Sequence, residues 1–184
     1  MVRNILVCAI IVVAVPIVLA HPALGQSVQT LAIPGAAVAK DVPDARELPD
    51  PSLTYKIVFD IAKGADKVGD VNPGLLGVAL YINTLAKYHV PVSHRKIVVV
   101  FHQGSTPIVV NNETFRARND GHDNPNIALI RSMKAAGVDF RVCGQGILAN
   151  QIDPKTIMPE IELDLWALVT ITNLELRGYI HVGR

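Results

Sequence analysis

The chain has 184 residues, 17 Lys+Arg against 16 Asp+Glu, and a 50% hydrophobic composition. A formal net charge of +1 provides no basic field to attract nucleic acid or anionic lipid, so neither is expected as a partner. The length suits one domain of ordinary size, with ample apolar content for a core.

The first 25 residues read as a secretion signal. Arg3 supplies the positive start, Ile5 to Leu19 is almost wholly apolar, and Ala23-Leu24-Gly25 places small residues at the processing site. Cleavage is expected before Gln26, giving an exported, periplasmic protein. The apolar run is short for a membrane span, which needs ~20 residues; an uncleaved anchor is the alternative, and no membrane association is expected after cleavage. Arg3 is the only Lys, Arg, Asp or Glu in the leader, so the remainder carries 16 charges of each sign. Residues 26–53 hold Pro34, Pro43, Pro49 and Pro51 without a sustained period, and read as a mobile linker or an arm laid on a neighbour. The domain proper is expected over 54–184.

Tyr55 to Ile61 reads as a first strand, apolar at its centre. Asn72-Pro73 opens a helix, a capping Asn followed by Pro at the first helical position. Leu75, Val78, Ala79, Ile82, Leu85 and Ala86 form its apolar stripe. Lys96 to Phe101 is continuously apolar after its lysine and β-branched, as the middle of a parallel sheet requires. Asn124-Pro125 repeats the helix-opening signal, with Ile127, Ile130 and Met133 on one face and Gly137 as the stop. Val138 to Val142 is a third strand and Gln145 to Asn150 a short helical segment. Ile161 to Leu165, the helix Ala167 to Arg177 and Tyr179 to Val182 complete the pattern.

Strands alternating with helices predict an α/β class: a single-domain, open, mostly parallel sheet flanked by helices. Right-handed crossovers align the strand C-termini along one edge, where ligands bind in such sheets. That edge collects Asp60 with Lys63 and Gly64, then His102-Gln103-Gly104-Ser105, then Cys143-Gly144-Gln145.

Cys143 is the principal candidate. The other cysteine, Cys8, lies in the leader, so the exported protein would hold one thiol without an internal partner. A thiol becomes a nucleophile as its thiolate, and a helix N-terminus or a cation favours that form. Cys143 ends a strand where a helix is expected to begin, and Gly144 and Gly146 permit a nest of backbone N–H groups. His102 would add a donor or base; a hydrogen-bonded structural histidine is the equal alternative. The competing reading is an inert buried cysteine. Gly144, Gln145, Gly104, Arg116 and Arg118 are the candidate substrate contacts, the two arginines for an anionic group. Against this, the arginines also suit a solvated loop. No metal is expected: His122 lies in a polar loop of turn formers, and no ligand pair has metal-site spacing. His89, His94 and His181 read as structural, and Trp166 as core. No dinucleotide or phosphate-loop motif occurs, so no cofactor is expected.

The order of four segments resembles the DsrE/DsrF-like (YchN-like) family: Tyr55-Lys56-Ile57-Val58-Phe59-Asp60, Ile97 to His102, Ala135 to Gly144, and Leu176-Arg177-Gly178-Tyr179-Ile180. The resemblance implies a small α/β fold that assembles as trimers or hexamers. It also implies that Cys143 occupies the position at which sulfur-trafficking members carry sulfur as a persulfide. The expected function is sulfur handling, Cys143 passing sulfane sulfur from a donor to an acceptor protein or thiol. The alternative is a non-catalytic oligomeric module that binds a small anion or a partner protein.

Overall fold

A computed structural model describes residues 31–183. The leader expected over 1–25, its cleavage point and Cys8 lie outside the described residues. Five strands form one sheet: β1 (Tyr55–Ile61), β2 (Arg95–Phe101), β3 (Asp139–Cys143), β4 (Ile161–Asp164) and β5 (Ile180–Gly183). The order is β4-β3-β2-β1-β5 and each neighbouring pair is parallel. Five helices connect them: α1 (Pro73–Lys87), α2 (Asn112–Arg118), α3 (Ile127–Ala135), α4 (Gly144–Ala149) and α5 (Ala167–Leu176). The open parallel sheet flanked by helices is the α/β architecture expected from the sequence pattern.

The strand periodicity divides the core between two faces. Ile57, Phe59, Ile61, Val99, Phe101 and Phe140 face one side, where α1 and α3 contribute Leu75, Ile82, Ile130 and Met133. Phe101 and Phe140 stack there at 5.8 Å between ring centres. The other face is smaller. Val58, Val98, Val100 and Cys143 meet only Ala167 and Ile171 among buried partners, both from α5. A parallel sheet buried on both sides explains why β2 is an unbroken apolar run.

Local signals set the starts of α1 and α2. Asn72 Oδ1 accepts from Gly74 N (2.8 Å) and Leu75 N (3.3 Å), and Pro73 follows it, so α1 starts where the sequence indicates. The second Asn-Pro signal behaves differently. α3 begins at Ile127 rather than directly after Asn124, with Asn126 at its N-cap. Asn124 is occupied otherwise: its Nδ2 donates to Ile108 O (2.8 Å) and Val110 O (3.1 Å), and its Oδ1 accepts from Asn126 N (3.1 Å). Asn126 Oδ1 in turn accepts from Asn72 N (2.8 Å). This chain of buried amides ties the start of α1 to the start of α3 and to the irregular segment after β2. That segment, a 3₁₀ stretch over Gln103–Val109, and α2 were not apparent as elements in the sequence. Asn111 caps α2 by accepting from Thr114 N (2.9 Å).

The proline-rich arm lies on α1 of its own chain. Ile33 is fully buried. Asn83, also fully buried, accepts from Ile33 N (2.8 Å) and donates to Ile33 O, Ala36 O and Ala37 O. Lys87 Nζ continues the attachment at Ala39 O (3.0 Å) and Asp41. Substituting Asn83 by Leu removes these partners and strands buried backbone groups, at a cost of about 1–3 kcal/mol. Denaturant unfolding of Asn83→Leu should register that loss, and hydrogen exchange should accelerate at residues 33–39 while β2 keeps its protection.

Candidate functional site

The parallel register fixes the site before any side chain is considered. β1 and β2 run in step from Tyr55↔Arg95 to Ile61↔Phe101, and β3 joins β2 with Phe101↔Val142. Their C-termini therefore meet along one edge, as expected. Asp60, His102, Gly104, Cys143 and Gln145 all line a cavity of about 740 Å³ there. Lys63 and Gly64 are not in its wall. Gly64 instead lies against Gly104: a Cβ on Gly104 would stand 3.2 Å from Gly64 N and 3.3 Å from Ala62 O. Glycine at 104 thus lets the turn after β2 pack onto the turn after β1.

Cys143 is the last residue of β3 and the N-cap of α4, and it is only 5% exposed. It pairs opposite Asp164, the last residue of β4. That pairing brings the turn into α5 alongside the thiol. Cys143 Sγ accepts from Ala167 N at 3.3 Å, the first amide of α5. Sequence reasoning placed the amides of Gly144 to Gly146 around the sulfur; the hydrogen bond comes from α5 instead. No side-chain cap bond joins Cys143 to α4. Gly144 serves close approach: a Cβ there would lie 2.7 Å from Asp164 O. Gln145 lines the cavity and its Nε2 donates to Leu165 O (3.3 Å), fastening α4 to the same turn. Cys143 is the free cysteine of the described residues.

Across the cavity, His102 Nε2 is hydrogen-bonded to Asp60 Oδ1. His181 Nε2 lies 3.3 Å from Asp60 Oδ2, and its Nδ1 lies 3.2 Å from Glu175 Oε1. Four groups from β1, the end of β2, β5 and α5 thus form one connected row. His102 is held from behind as well: its N donates to Ser105 Oγ (3.0 Å) and to Ile61 O (3.2 Å). Ser105 is fully buried.

Three wall residues escaped sequence reasoning. The sequence pattern marks His181 as structural and Trp166 as core, and gives Glu175 no distinguishing signal. Trp166 is 47% exposed and lines the cavity with Glu175 and His181. Only the position of β5 beside β1, with Val58↔His181 in register, brings His181 to Asp60. No local pattern carries that information.

The two arginines stand outside the cavity wall, Arg118 at its margin through Asn150. Both lie on α2, and neither lines the cavity. Arg116 Nη1 pairs with Asp123 Oδ1 at 2.9 Å. A hydrogen bond from Asn112 and this guanidinium hold the Asp123 carboxyl below its ordinary range. Arg118 Nη2 donates to Asn150 O at 2.8 Å. Among the described residues no group of three or more His, Cys, Asp or Glu is arranged to hold a metal ion.

No curated protein matches the chain. Among solved structures, a protein of unknown function from Methanobacterium thermoautotrophicum, MTH1491, aligns at 15% identity over 71% of this chain and 99% of its own, with a TM-score of 0.48. The DsrE/DsrF-like family profile matches residues 49–182, from the end of the arm through β5. The chain belongs to the DsrE/DsrF-like family.

Proposed function

We propose that Cys143 carries sulfane sulfur as a persulfide and passes it to an acceptor, and that the protein does this in the periplasm. The family is generally linked to sulfur transfer. The observation that carries the reading is the placement of Cys143 Sγ against the first amide of α5, at the wall of a cavity that also holds His102. A helix N-terminus bears partial positive charge and favours an anion on that sulfur, whether thiolate or persulfide. The leader expected over residues 1–25 supports the compartment.

The chemistry needs no outside oxidant. His102 takes the proton from Cys143, directly or through water. The thiolate attacks the outer sulfur of a donor R–S–SH, whose S–S bond breaks as the new one forms. Cys143 then bears –S–SH, and the departing R–S⁻ recovers the proton from His102. Delivery is the same exchange onto an acceptor thiolate. Asp60 orients His102 through the Nε2 contact, so the ring presents a defined tautomer.

Exposed apolar side chains around this edge support assembly. Leu165 is 73% exposed, Leu168 56%, Leu148 68%, and Trp166 lies between them. Leu148 and Leu165 line one hollow and Trp166 and Leu168 the cavity beside it, and exposed apolar side chains so placed suit an interface. We take its occupant to be a further copy of the chain, in a homo-oligomer.

Incubation with a low-molecular-weight persulfide should add mass in whole sulfur increments to the purified protein and not to Cys143→Ser. Equal loading of both would sink the carrier reading. His102→Gln should slow loading by about 10²-fold, read by stopped-time mass spectrometry, since a lost general base costs that order. Light scattering should find an oligomer that Trp166→Glu dissociates; a wild-type monomer would remove the assembly.

A further inference from the structure

The charges that line the Cys143 cavity point to a class of donor. We propose that the cavity accepts sulfur donors that are neutral or bear an ammonium group, and discriminates against anionic donors such as thiosulfate. This deepens the sulfur-carrier reading and rests on it.

Apart from the thiol, the ionisable side chains in the wall are Asp60, Glu175, His102 and His181; no lysine or arginine is among them. With both histidines neutral, the two carboxylates leave the cavity doubly negative. With both protonated, it is neutral. No protonation state of the histidines makes it positive while the carboxylates are ionised. The arginines that the sequence offered for an anion are held by Asp123 and by the carbonyl of Asn150. The helix amide that would attract an anion is already engaged by Cys143 Sγ.

The same wall suits a short chain ending in a cation. Trp166, Ala167, Leu168 and Ile171 give it an apolar side, along which methylenes and sulfur lose little on leaving water. Glu175 is 45% exposed, the most open of the four ionisable groups. It stands where an entering ammonium would meet the first carboxylate, with Asp60 deeper at 19% exposure. Low-dielectric walls strengthen that attraction, and the matching repulsion of an anion, relative to bulk water.

Disulfide exchange with Cys143 reads this selectivity without requiring sulfur transfer. Three symmetrical reagents of similar size are compared: cystamine (cationic), bis(2-hydroxyethyl) disulfide (neutral) and dithiodiglycolate (anionic). In each case the Cys143 thiolate attacks one sulfur, the reagent's S–S bond breaks, and the other half leaves as a thiolate that takes up the proton Cys143 released. Rates are divided by those of free cysteine with the same reagent. Cystamine should exceed dithiodiglycolate by about tenfold or more at low salt, and Glu175→Gln should narrow the gap. Equal ratios, or a faster anionic reagent, would overturn the proposal. If none of the reagents modifies Cys143, the same three are titrated onto Cys143→Ser by NMR. A response at His181 strongest for cystamine supports the proposal; no response, or a stronger one to dithiodiglycolate, overturns it. Discrimination without sulfur loading defeats the carrier reading alone. Loading without discrimination defeats this inference alone.

Discussion

The in-step parallel ladder between β1 and β2 is the constraint on which the rest depends. Seven residues of each strand pair without a slip, from Tyr55↔Arg95 to Ile61↔Phe101. A displacement of β1 by one residue along β2 would exchange the faces of β1 alone, sending Phe59 to the side of α5 and Val58 to the side of α1. The large core under α1 and the small core under α5 have no common shape, so the register is strongly specified. With it fixed, Asp60 and His102 necessarily emerge within reach of each other. β3 adds to β2 under the same rule and delivers Cys143 to the same edge.

Buried amides complete what apolar packing begins. Asn72, Asn124 and Asn126 are each nearly or wholly inaccessible, and their side chains meet backbone partners in three separate segments. An unpaired amide there would be costly, so the loops around the edge are set by satisfaction of donors and acceptors rather than by helix or strand. Asn83 extends the same device to the arm. On the outer part of the small face, charge replaces apolar cover: Asp139, by a hydrogen bond, and with Glu162 and Asp164 by attraction, raises the already high affinity of the Arg141 guanidinium for its proton.

Much of this was legible in the sequence because it is local. Strand periodicity gave β1, β2 and β3 to within about a residue, and the parallel class then predicted which strand ends converge. Asn72-Pro73 marked a helix start correctly because its side chain has no stronger demand. Asn124-Pro125 looked the same, yet Asn124 is drawn to Ile108 O and Val110 O, a contact between segments that pattern reading cannot see. His181 and Glu175 were hidden for a related reason. Their place in the cavity follows from β5 adding at the far edge, beyond β1, so that α5 crosses from β4 to the opposite side of the sheet. Strand order is a global choice. It also explains why the amide beside Cys143 belongs to α5 and not to the helix that follows the cysteine in sequence.

Among the described residues one helix covers the smaller face, with Ala167 and Ile171 buried and Leu174 and Tyr179 packed beside them. Local stability in a folded protein follows the apolar area that an element buries, and elements with little of it open first. By that rule α5, with two buried apolar side chains, is held less firmly than α1, which buries five. Ala167 N–H and Glu175 travel with it, one from the sulfur and the other from His181. Any displacement of α5 from the sheet would act on the thiol, its hydrogen bond and the Glu175 carboxylate together. The environment of Cys143 is consequently a property of how α5 docks on the sheet.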